Sequence, residues 1–165
     1  MKRRTLLNLW QALGKLEGLK HDVRFSYFLA KNKVSIKPEI EALDEAQKPN
    51  AAYLEYEAKR IELAQEHSDK DANGSPKVHN GQFVIFDGRD KFELAIKKLK
   101  TKFKTAISTR EKQLKEYEAF LGEDVETSLT KIRFTQLPAQ IESSYLEIFI
   151  EADVIMDDQN LEVVK

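Results

Sequence analysis

The sequence predicts a mainly α fold with a small β element (α+β): a helical bundle of long amphipathic helices, a β-hairpin near 77–87 and a third short strand. Three observations predict it. Apolar residues recur at helical spacing along most of the chain. One polar break, Asp69-Lys70-Asp71-Ala72-Asn73-Gly74-Ser75-Pro76, is followed by apolar residues around Asn80-Gly81, the dipeptide best suited to a two-residue turn with positive φ. The composition, 33% charged and 41% hydrophobic over 165 residues, is that of a folded, charge-rich helical protein large enough to bury a core. One helical domain is expected over 1–155, with an acidic, flexible tail over 156–165.

Thr5 is the expected cap of a first helix reaching about Leu16, with Leu6, Leu9, Trp10 and Leu13 on one face. A second begins near Asp22, and Phe25, Phe28, Leu29, Asn32, Ile36, Ile40 and Leu43 form its stripe. That stripe keeps its phase across Pro38, so a bend near Lys37 or a restart at Pro38 is expected, both halves facing one core. After Pro49-Asn50 a third helix, 51–67, carries apolar residues on two faces, which predicts a helix sandwiched between others. A long helix from Asp90 to Leu121 follows the hairpin, its stripe running through Leu99, Phe103 and Ile107. Val125 to Phe134 reads as a strand, and Leu137-Pro138 as the start of a last helix. The predicted core comprises Trp10, Phe25, Phe28, Leu29, Ile61, Leu99, Phe103 and Ile107. Because Phe83 to Phe86 are four consecutive apolar residues, the hairpin needs a cover, and the 125–134 strand is the candidate. Without it, this edge is a partner-binding surface.

Charge is unevenly spread over a net −1. The chain from 77 to 121 holds 11 Lys/Arg against 6 Asp/Glu, whereas 122 to 165 holds 3 against 10. The two segments can pair internally or face partners. Lys97, Lys100 and Lys104 flank the apolar stripe of the long helix, with Lys98 and Lys102 on its other side, a snorkelling pattern. They are partner-binding candidates together with Phe83 and Ile85. Nucleic acid is the lesser reading, because it would favour a continuous exposed stripe with Arg and aromatic residues among the lysines, whereas these lysines flank an apolar stripe on two sides. Arg110 falls near the centre of the stripe, and a partly exposed gap or a carboxylate of the C-terminal quarter would accommodate it.

Few chemistries remain. The absence of cysteine excludes disulfides, thiolate metal sites and cysteine nucleophiles. No apolar run approaches a membrane span, and the N-terminal apolar segment lacks a cleavage site. Asp69-x-Asp71-x-Asn73-Gly74 matches the first half of a calcium loop, but the twelfth position is Asn80 where a bidentate Glu is needed. A polar turn is the favoured reading, with Asp69, Asp71 and Asn73 a weak candidate metal site. His21, His67 and His79 have no metal-ligand spacing, and neither a phosphate loop nor a nucleophile elbow is present. No cofactor and no catalytic residue is expected.

The opening Leu13-Gly14-Lys15-Leu16-Glu17-Gly18-Leu19-Lys20 is followed by Val23-Arg24-Phe25-Ser26-Tyr27-Phe28-Leu29. Further on come Tyr56-Glu57-Ala58-Lys59-Arg60-Ile61-Glu62-Leu63-Ala64, the 69–76 loop and Asn80-Gly81-Gln82-Phe83. In these segments, over about Leu6 to Leu137, the chain resembles small tailed-phage proteins of the DUF1617-like kind. The resemblance implies a non-enzymatic accessory or virion-assembly role through protein–protein contact or self-association, in the host cytoplasm or the phage particle. A phage-encoded inhibitor binding a host nucleic-acid-handling or defence protein is the alternative, motivated by the segregated charge.

Overall fold

The computed structural model describes residues 1–156. Its elements, in order, are α1 (Arg3–Glu17), α2 (Val23–Gln47), α3 (Ala51–Glu66), β1 (Val78–His79), β2 (Gln82–Phe83), α4 (Arg89–Lys102), α5 (Lys104–Leu121), β3 (Ile132–Arg133), a 3-10 turn (Phe134–Gln136), α6 (Ser143–Glu151) and β4 (Ile155–Met156). The fold is mainly α with a small β element. Instead of one core it forms two compact units, one of Met1–Ala46 with the chain from Glu116 onward, the other Gln47–Lys115.

The discontinuous unit holds the larger core. All seven residues of the α2 stripe are buried. Phe25, Phe28 and Leu29 pack with Leu6, Leu9 and Leu13 of α1 and with Phe149 of α6. Phe28 meets Phe149 edge to face at 5.5 Å between centroids. Ile40 and Leu43 gather around Leu121 in a second cluster, and half-buried Trp10 touches both. Full burial of one such side chain stabilises by about 1.5–3 kcal/mol. Asp22 caps α2, its Oδ1 accepting from the N–H groups of Arg24 and Phe25 at 2.8 and 3.0 Å. Pro38 lies inside one unbroken helix. The carbonyl it leaves without an N–H is that of Val34, and both residues are exposed, so water can take the bond.

Thr5 does not cap α1. The helix begins at Arg3, whose N–H donates to the Glu123 carbonyl, while the Val125 N–H donates to Met1. The expected strand is reduced to β3, which pairs in parallel with β4, Ile132 opposite Ile155, and not with the hairpin. Its upstream backbone finds other partners. Fully buried Asn32 donates Nδ2 to the Thr130 carbonyl at 2.9 Å and accepts the Thr130 N–H at Oδ1, 2.8 Å, imitating one rung of a sheet. Residues 137–142 are not helical, and α6 starts only at Ser143. Met156 ends β4, and the rest of the expected acidic tail lies outside the described residues.

In the contiguous unit α3 packs along α4. Its core is Tyr56, Leu99, Phe103 and Ala106, with Tyr53, Ile96 and Ile107 partly buried against it. Ile61 is not in the core: it and Leu54 are 49% and 55% exposed, so the expected second apolar face of α3 is uncovered. The long helix is interrupted at Phe103, φ −101°, ψ 19°. No Pro or Gly stands there; the Thr101 hydroxyl donates back to the Lys97 carbonyl at 2.9 Å, a bond that competes with regular helix geometry.

The hairpin pairs Val78 with Phe83 and His79 with Gln82 around Asn80 (φ 49°) and Gly81 (φ 75°). Its cover is local. Asp69 donates its N–H to Val84, Val84 to Lys77 and Lys77 to Asp69, a closed ring of backbone bonds at 2.8–2.9 Å. The polar loop is thus tied to the end of the hairpin by backbone bonds, while Val78 and Phe86 stay exposed. Gly88 precedes α4 so close to the His67 carbonyl that a Cβ would sit 2.7 Å from its oxygen.

Candidate functional site

The polar loop spends its carboxylates on backbone. Asp69 Oδ1 accepts from the N–H groups of Phe86 and Asp87 at 3.1 and 3.2 Å; Asp71 Oδ1 accepts from Asn73 and Ser75 at 2.8 and 2.9 Å. Gly74, φ 78°, completes the turn. Asp69 and Asp71 thus serve separate turns, and no group of three or more His, Asp or Glu suited to a metal occurs among the described residues.

A different arrangement stands out on α4. Phe92 and Ile96 floor a hollow of about 620 Å³ walled by Lys97, Lys100 and Lys104. It adjoins a second hollow of about 430 Å³ toward α3, to which Tyr53, Tyr56 and Arg60 contribute, and the two share Phe92, Ile96 and Lys100. Lys97 and Lys100 share a flank of α4 at i and i+3, and Lys104, the first residue of α5, joins them past the interruption at Phe103. Long aliphatic stems beside the apolar floor, with their charged heads in water, follow from that placement.

The acids of this groove are already matched. Glu93 accepts from Arg89 Nε at 2.9 Å, and Glu57 from Arg60 at 2.8 Å. The Glu57 hydrogen bond holds the Arg60 guanidinium more firmly protonated than usual, and burial pushes the Tyr53 phenol up, so it stays neutral at physiological pH. Lys97, Lys100 and Lys104 have no carboxylate partner among the described residues. The groove therefore presents uncompensated positive charge beside aromatic and aliphatic surface. It fits an anionic group attached to something apolar.

Of the five partner-binding candidates, three converge here. Phe83 and Ile85 are half-buried at the hairpin and do not line the groove, while Phe86 is 80% exposed. The sequence reading missed Tyr53, Arg60, Phe92 and Ile96 as site residues. Arg110 lies partly exposed, the first of the two expected settings, and in place of a carboxylate it donates to the Gln47 carbonyl at 2.6 Å and to Gln113 Oε1 at 2.8 Å, 5.8 Å from the Tyr53 ring centroid. The C-terminal acids pair instead with the N-terminus: Asp124 with Lys2 at 2.8 Å, Glu123 with Arg3 at 2.9 Å.

No protein-family model, curated protein or solved structure matches this chain.

Proposed function

We propose that this chain is a non-enzymatic phage accessory or virion-assembly protein that works by holding another protein, with the α4 groove as a holding surface. The observation that carries the reading is the unmatched trio Lys97, Lys100 and Lys104 above Phe92 and Ile96, in a groove whose own carboxylates are already paired. Charge beside apolar surface suits a protein partner with acidic residues around an apolar contact. The displaced titratable groups fit binding better than chemistry: Arg60 answers to its ion pair and Tyr53 to burial, and neither is thereby poised as a general acid or base near pH 7. The phage assignment rests on the sequence resemblance.

The segregated charge supports a second reading, an inhibitor that occupies a host nucleic-acid-handling or defence protein. Mass spectrometry of purified particles separates the two: abundant peptides support the virion role, and peptides confined to infected-cell lysate support the inhibitor. For the groove itself, Lys97→Glu/Lys100→Glu/Lys104→Glu should weaken retention of a particle or host protein by about tenfold or more. Unchanged retention by a normally folded variant would remove the groove from the proposal.

A further inference from the structure

The α2 helix carries a second apolar stripe that the core does not use. Val23, Tyr27, Ala30 and Val34 repeat at intervals of four, three and four residues, on the side of the helix opposite Phe25, Phe28, Leu29 and Asn32. Val23 is 81%, Tyr27 63% and Val34 72% exposed. A helix of a globular protein normally shows one such stripe, facing its core. The alternating spacing of four and three is that of a coiled-coil seam, two apolar positions per heptad, with β-branched residues at its ends.

The flanks decide the occupant. Arg24 and Lys31 border the seam on one side and Lys33 and Lys37 on the other. Lys33 is engaged by Glu17 and Lys37 by Glu41, whereas Lys31 has no carboxylate partner among the described residues. The free positive charge therefore lies on the Arg24–Lys31 side, and a second copy laid antiparallel on the seam would set Arg24 and Lys31 against the same pair, which disfavours self-pairing. A lipid surface calls for a broad apolar face of large side chains, and this stripe is narrow and built of Val, Tyr and Ala.

We infer that the Val23–Val34 face of α2 is a coiled-coil docking seam for a partner helix with apolar a and d positions and acidic flanks. This rests on the reading of the chain as a protein-binding protein, but not on the α4 groove. The probe is a synthetic peptide of three heptads with Ile and Leu at a and d and Glu at e and g, titrated by calorimetry against the full chain. Wild type should bind it about tenfold or more tightly than the same peptide with Lys at e and g. Tyr27→Ser/Val34→Ser should lose that binding while keeping its helical circular dichroism and melting temperature, since both side chains are exposed. Lys97→Glu/Lys100→Glu/Lys104→Glu should retain it, which tells a failed seam from a failed groove. Three results would overturn the inference: equal binding of the acidic and basic peptides, a wild-type dimer in sedimentation that Tyr27→Ser/Val34→Ser dissociates, or binding to phosphatidylserine vesicles in place of the peptide.

Discussion

The discontinuous unit buries Leu6, Leu9, Leu13, Phe25, Ile36, Phe149 and Val154 completely, whereas the buried set of the contiguous unit, Tyr56, Leu99, Phe103 and Ala106, stays 6–9% exposed. Both are built mainly from helices. The difference is in what closes on them. One set of helices is packed from several directions, by α6, the 125–131 segment and the β3–β4 pair. The other is α3 against α4 and the start of α5, extended by a loop that is tied through backbone hydrogen bonds. Burial of apolar surface sets most helical stability. The contiguous unit should therefore open locally more often, while its polar surface is left free for contact.

The most severe way to test the contrast is Phe25→Ala, which empties the centre of the larger core and should cost about 3–5 kcal/mol in urea unfolding. A loss under about 1 kcal/mol would mean that the stacked rings of Phe25 and Phe28 do not organise that core. Phe103→Ala comes next, at about 3 kcal/mol, because its site is shallower and can relax. Hydrogen exchange sharpens the comparison: amides of α3 and α4 should exchange faster than those of α1 and α2, and equal protection would erase the distinction.

Asn32→Leu should cost about 1–3 kcal/mol, since it strands the partly buried N–H and C=O of Thr130, and exchange at the Thr130 amide should quicken with it. The smallest effect is in acid. Backbone hydrogen bonds from Phe25 and Arg24 hold the Asp22 carboxyl below its ordinary value, and a hydrogen bond from Lys2 does the same for Asp124. A depressed native pKa contributes stability above the unfolded value, about 3.9, that is lost as pH falls through the native one. Asp22→Asn keeps a cap acceptor but not the titration, so its melting temperature should fall less between about pH 5 and pH 2 than that of wild type.

What the sequence made legible was local. The α2 stripe is a period, and each of its residues is buried as that period requires. Asn80-Gly81 is a turn because both residues adopt positive φ. The division into two cores was not legible, because a helical stripe says which face is buried and not against what. Phe103 and Ile107 share their stripe with residues near Leu121 that pack in the other unit. The pairing of β3 with β4 was equally hidden: two-residue strands carry almost no pattern, and an asparagine on α2 did the work expected of a neighbouring strand. The exposed seam of α2 was readable in the spacing of Val23, Tyr27, Ala30 and Val34, had the helix been allowed a second apolar face. The groove needed α3 beside α4, which no single helix announces.

The backbone bonds that join Met1 and Arg3 to Val125 and Glu123 have a consequence for the order in which the chain matures. Met1 and Arg3 must wait for partners made some 120 positions later, and closing a loop of that size slows assembly although it costs little extra free energy. Residues Gln47–Lys115 face no such delay, because all their contacts within the unit are available once Lys115 has been made. Nascent α1 and α2 meanwhile expose their apolar faces without Phe149 or Val154 to cover them. A pulse-labelled chain truncated after Lys115 should thus protect its α3 and α4 amides while α1 remains open to protease. By the same topology α1 and α2 should be the helices most exposed to aggregation during synthesis.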